Sequence, residues 1–131
     1  MRKNGILNPE ISELLSSLGH TDLLVICDAG FPIPKDVKRI DLTLIKNIPR
    51  FIDVLKAVCN EIVVEKIVLA EEIQKFSPEL LKEIKEILKD IPIEFVPHIK
   101  LKKMSKNAKG IIRSAEFTPY ANIILICGVA Y

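Results

Sequence analysis

Six short apolar runs of strand length alternate along this chain with segments whose apolar residues recur at helical spacing. That alternation is the strongest constraint on the fold. A run without polar alternation, such as Leu-Leu-Val-Ile-Cys at 23–27, suits a strand buried on both faces. Parallel strands need long crossovers, and helices are the usual crossovers. The pattern therefore predicts a single three-layer α/β domain over residues 1–131, with a largely parallel central sheet flanked by helices. The other runs lie at 40–44 (weaker), 66–70, 93–96, 111–112 and 123–126. The closing pair is the expected exception to parallel pairing.

The helices announce themselves by their ends. Asn8 can cap and Pro9 fits a first helical position, after which Ile11, Leu14, Leu15 and Leu18 form a stripe. Gly19 supplies a left-handed stop, which leaves His20 in a junction. Pro49 opens a second helix, with Ile52, Leu55, Val58 and Cys59 inward. Ser77-Pro78 starts a third, with Leu80, Leu81, Ile84, Ile87 and Leu88 on one face. A short basic helix is expected near 101–105. Two prolines, Pro32 and Pro34, exclude a helix after the first strand.

Composition excludes several function classes. Net charge is only +2, and the densest basic stretch, Lys100 to Lys109, contains no aromatic residue. A nucleic-acid surface usually interleaves the two, so that stretch reads as a solvated face. Cys27, Cys59 and Cys127 are widely spaced and odd in number, with no CxxC pair. They fit free core thiols in a reducing compartment. The first residues carry no apolar signal core, and the apolar stretch at 123–129 is too short to cross a bilayer. The expectation is a soluble, cytoplasmic protein that touches neither nucleic acid nor membrane.

Few residues remain that could carry chemistry. There are two histidines, His20 and His98, in no metal-binding spacing, so no metal is expected. No phosphate-binding glycine loop and no nucleophile-elbow motif is present. Asp28 and His98 each follow a strand, where ligands of open α/β sheets gather. Asp28 reads equally well as a turn residue before Gly30. The segment Glu116-Phe117-Thr118-Pro119-Tyr120-Ala121-Asn122 brings acid, phenol and amide groups together around a proline. Such groups both donate and accept, as a sugar site requires. A histidine with neutral polar neighbours suits proton transfer on an uncharged ligand, without cofactor.

Taken in order, several segments resemble the D-ribose pyranase family, which is related to fucose mutarotase. They are Lys3-Asn4-Gly5-Ile6-Leu7-Asn8, Leu18-Gly19-His20-Thr21-Asp22, Asp28-Ala29-Gly30-Phe31-Pro32-Ile33-Pro34, Val64-Glu65-Lys66, Ala70-Glu71-Glu72-Ile73 and Ile112 through Asn122. The resemblance implies interconversion of β-pyranose and β-furanose ribose, with exchange of anomers. It implies His20 as proton donor and ribose contacts from Asp28, His98, Tyr120 and Asn122. It also implies a ring-shaped homo-oligomer, a decamer of two pentamers, supplying furanose to a ribokinase. The alternatives are the same chemistry on another sugar such as fucose, and a non-catalytic sugar-binding subunit.

One geometric expectation follows from spacing. His20 precedes the first strand and Asp28 follows it. A strand rises roughly 3.3 Å per residue, so the two lie on the order of 20 Å apart. Either the chain curls at Thr21-Asp22, or each site draws on two subunits.

Overall fold

The structure is a computed structural model that describes residues 1–131. The chain runs α1 (Pro9–Ser16), β1 (Leu23–Cys27), β2 (Lys38–Asp41), α2 (Phe51–Cys59), β3 (Val64–Ala70), α3 (Ile73–Phe76), α4 (Pro78–Ile87), β4 (Ile93–Val96), α5 (His98–Met104), β5 (Gly110–Arg113) and β6 (Ile123–Cys127). All six strands form one sheet in the order β2-β5-β1-β6-β3-β4. Five strands run the same way and β6 alone runs against its neighbours β1 and β3. Of the closing pair expected to break the parallel pattern, only the second does so. β5 lies between β1 and β2 and is parallel to both.

Two cores explain why the strand runs are continuously apolar. On one face, Leu24, Ile26, Ile67, Leu69, Ile123 and Leu125 pack beneath α1, α2 and α4. On the other, Val25, Cys27, Val68, Ala70, Ile111 and Ile124 meet Leu101 of α5 and Phe31. Successive strand side chains point to opposite faces, so each of these strands feeds both cores. The three layers are helices, sheet, and then α5 with the proline-containing loop.

The ends of several elements differ from the sequence reading. Gly19 is not a left-handed stop. α1 ends at Ser17 with φ −88°, and Ser17 donates its hydroxyl to Leu14 O at 2.7 Å. The left-handed residue is Thr21, φ 68°, whose N–H donates to Cys127 O at 2.8 Å. A tertiary bond, not glycine, therefore shapes this turn. β2 begins two residues before the expected run, because pairing with 110–113 of β5 sets its limits. Only Ile40 of its four residues is buried, as suits an edge strand. Ser77 caps nothing and instead donates to Pro119 O at 2.6 Å. The basic helix starts at His98, earlier than expected, and α3 had no periodicity to reveal it.

Candidate active site

β5 ends and β6 begins at the same edge of the sheet, on opposite sides of β1. The connection, 114–122, must therefore cross over the carboxyl end of β1, where Asp28 stands. This crossing builds one cluster. The Asp28 N–H donates to Asn122 Oδ1 at 2.9 Å, and Asn122 Nδ2 donates back to Asp28 Oδ2 at 3.0 Å. The Gly30 N–H donates to Asp28 Oδ1 at 3.0 Å. The turn reading of Asp28 holds, and the same bonds keep its carboxylate in one orientation. Burial pushes its pKa up, against the Asn122 and Gly30 hydrogen bonds and the nearby His98, which pull it down. Asn122 is 1% exposed, so its amide is committed to orienting Asp28.

His98 comes to the same edge from the end of β4. Its N–H donates to both oxygens of Glu72, at 3.0 and 3.1 Å. Its ring meets Tyr120 edge-on with centroids 5.2 Å apart, and Phe31 at 6.2 Å. Burial first, and then Lys102, lower the His98 pKa, with Glu72 and Asp28 opposing. A lowered pKa favours the neutral ring, which can both donate and accept. Tyr120 has a left-handed φ of 61° and stacks at a tilt on Phe76, 5.6 Å away. Non-glycine residues rarely adopt that conformation, and the hydrogen bond from the Asn122 N–H to Tyr120 O at 2.9 Å accompanies it here.

Glu116 anchors the crossing segment. Although 3% exposed, its carboxylate takes the Phe51 N–H at 3.1 Å, the Thr118 hydroxyl at 2.8 Å, the Thr118 N–H at 3.3 Å and Arg50 Nη1 at 3.4 Å. Arg113 braces the loop on the other side by donating to Phe31 O at 2.7 Å and to Asp41 at 2.9 Å. Burial would raise the Asp41 pKa, but Thr43 and Arg113 prevail and hold it at about 2. A cleft of about 370 Å³ opens between Asp28-Ala29-Gly30 and Glu116 to Pro119. That size suits a small ligand. Cys27 lies below it, but burial and then Asp28 push its thiol up to about 12, far from a nucleophile. No three His, Cys, Asp or Glu side chains come together as a metal site.

His20 lies elsewhere. It stands before β1, at the opposite edge, where the Cys127 N–H donates to Asp22 O at 2.9 Å. Its side chain is 54% exposed and its Nε2 is 3.0 Å from Glu65 Oε2. It borders a second cavity of about 400 Å³, formed with Glu61, Val63, Gly128 and the C-terminal Tyr131. The chain does not curl at Thr21-Asp22 to bring His20 to Asp28. So the structure gathers Asp28, His98, Tyr120 and Asn122, and leaves His20 apart.

Glu65 and Glu72 stand in segments that carry the family resemblance, but the sequence reading gave neither a role. Their partners are 45 and 26 residues away, and no local spacing signals such a pair. Glu116 did carry a signal, being an acid within a segment already singled out, but its four donors belong to three residues and only the fold assembles them.

Known proteins are similar to this chain over its full length. A D-ribose pyranase of Geobacillus thermodenitrificans is 56% identical over 131 residues, covering 100% of this chain and 99% of its own. The structure of Bacillus subtilis RbsD complexed with D-ribose superposes with a TM-score of 0.96 at 43% identity, covering 100% of both chains. A fucose mutarotase from Streptococcus pneumoniae, solved with L-fucose, shares the fold at a TM-score of 0.82, with 20% identity and 95% of each chain covered. The model of the RbsD / FucU transport protein family matches residues 1–130, and with such coverage the chain belongs to that family.

Proposed function

We propose that this chain is a D-ribose pyranase, interconverting the β-pyranose and β-furanose forms of ribose, and its anomers, by general acid/base catalysis. The observation that carries the reading is the Asp28 carboxylate, locked by Asn122 and Gly30 beside the rings of His98 and Tyr120. This set offers fixed acceptors and an aromatic wall to an uncharged polyol, and no cationic clamp for a phosphate. D-ribose is the molecule in the Bacillus subtilis complex.

Ring opening needs little more. The ring oxygen takes a proton, the anomeric hydroxyl loses one, and the bond from C1 to the ring oxygen breaks to give the aldehyde. The 4-hydroxyl then adds to C1, its proton leaves, and the carbonyl oxygen regains one. Protons balance, and no cofactor enters. A histidine can serve as donor and acceptor near neutral pH, and the resemblance to the D-ribose pyranase family points to His20 as that acid/base. Such help is typically worth about 10²–10⁴-fold. Asp28, His98, Tyr120 and the Asn122-held frame hold the sugar.

His20 reaches that frame from a neighbouring subunit. A five-residue strand separates it from Asp28 within one chain, on the order of 20 Å. Exposed apolar side chains at both edges support burial against another copy: Phe76, Ile99 and Phe117 near the cleft, Val63 and Tyr131 near His20. A closed ring repeats one such interface, and the resemblance to the D-ribose pyranase family gives the size, two pentameric rings in a decamer. The place of action is the cytoplasm, in keeping with three free cysteines.

Exchange between pyranose and furanose signals in NMR of ribose tests the reading. Wild-type protein should accelerate exchange, and a folded His20→Ala protein should lose most of it. Undiminished exchange by that variant would sink the role of His20, and no acceleration by wild type would sink the function.

A further inference from the structure

His20 has one hydrogen-bonding partner, Glu65, at 3.0 Å from Nε2. Three carboxylates stand near this turn, and two have other partners. Asp22 takes the Gly19 N–H at 2.8 Å and faces Lys109 at 3.9 Å. Glu61 takes the Ile6 N–H at 2.7 Å. The neighbouring Lys66 pairs with Glu94 at 2.9 Å, so no lysine competes for Glu65.

The backbone is also shaped for this contact. In the β3–β6 ladder, Val64 pairs with Cys127 and Lys66 with Ile126, so Glu65 is the extra residue of a bulge. Bulges re-aim a side chain and recur beside functional sites. Gly128 makes room: a Cβ there would stand 3.3 Å from the Glu65 Cβ and 3.1 Å from Val63. The bulge turns a side chain from regular alternation towards the turn that carries His20.

An ionised carboxylate accepts hydrogen bonds and cannot donate them. At 3.0 Å, then, His20 Nε2 must carry the proton. We propose that Glu65 is the positioning residue of His20: it fixes the neutral ring as the Nε2–H tautomer and leaves Nδ1 as the atom where protons enter and leave. This rests on the acid/base role of His20. As an acid, the imidazolium gives its Nδ1 proton to the ring oxygen, and the electron pair of the breaking C1–O bond becomes the new O–H bond. The ring that remains is the Nε2–H tautomer, already the right one to take the next sugar proton at Nδ1. Catalysis in both directions then needs no tautomer change, and Glu65 steadies the positive charge in between.

The test is long-range ¹H–¹⁵N NMR of histidine-labelled protein, at a pH where the ring is neutral. His20→Ala assigns the His20 signals against those of His98. Wild type should show a pyrrole-like Nε2 and a pyridine-like Nδ1. In Glu65→Ala the two shifts should converge towards a tautomeric average, and ribose exchange at saturation should fall by about tenfold or more, a part of the 10²–10⁴-fold that acid/base help supplies. Glu65→Gln, whose amide oxygen still accepts, should retain part of both. An Nδ1–H ring in wild type, or an unchanged signature and rate in Glu65→Ala, would overturn the proposal. So would a raised KM with unchanged signature and kcat, which would make Glu65 a ribose ligand. Full exchange by His20→Ala would instead overturn the acid/base reading, whatever the ring nitrogens report.

Discussion

Replacing Glu116 by alanine should separate the stability of the cleft from its chemistry. In the chain of 131 residues, this carboxylate is 3% exposed and receives four hydrogen bonds from Arg50, Phe51 and Thr118. Arg50 is more than half exposed and regains water once freed, so its loss counts for little. The Phe51 N–H is different. It is one of the orphan donors at the start of α2, and its bond to Glu116 is buried. Leaving a buried donor unpaired costs about 1–3 kcal/mol. The Thr118 hydroxyl and N–H add a smaller share, since both are only part-buried. The total is roughly 2–4 kcal/mol. At about 4 °C per kcal/mol for a chain of this size, Tm should fall by about 8–16 °C. Glu116→Gln should lose about half as much, because one oxygen still takes the Phe51 N–H while the amide nitrogen faces Thr118. Circular dichroism melts at fixed protein concentration give the answer, with ribose exchange measured well below the transition. A fall under about 2 °C in Glu116→Ala would refute the reasoning.

Two further outcomes are expected. Mixing inactive His20→Ala and Asn122→Ala proteins after dissociation and reassembly should restore part of the exchange, because an intact half-site of each kind can meet; no recovery in oligomers shown to be mixed would favour a site within one chain. Asp41, held at about 2 in the folded chain against an ordinary value near 3.8, contributes stability that is fully present above the ordinary value and lost as pH falls towards 2. Urea melts of wild type and Asp41→Asn should therefore differ at pH 6 and converge near pH 2, and a gap that persists at pH 2 would contradict the sign.

The positions of the elements were largely legible because each central strand is covered on both faces and each long helix on one. β1 and β4 coincide with their apolar runs to the residue. Where pairing and not burial sets the limits, the sequence is silent. β2 shows this: one buried residue in four leaves no pattern, and β5 decides where it begins. The turn after α1 shows it differently. Its left-handed residue is Thr21 and not Gly19, because a bond to Cys127 holds it from 106 residues away. Local preference yields where a distant partner fixes the backbone.

The site divides along the same line. Asp28 and His98 were legible because a residue just past a parallel strand lies at the ligand-binding edge wherever that strand falls in the sheet. Tyr120 and Asn122 could be flagged only as a cluster of suitable groups. What makes them a site is the order β5-β1-β6, since a chain leaving β5 for β6 has to pass over the end of β1. The direction of β6 then decides more than the crossing. Because it runs against β1, the residue just before it, Asn122, meets Asp28, and its last, Cys127, meets the His20 turn. One strand thus joins the Asp28 cluster at one end to the His20 turn at the other, the two halves of the site proposed above. A rigid ladder cannot shorten to join them within a chain. The proposed site therefore requires a neighbour that offers its His20 edge to this chain's Asp28 edge.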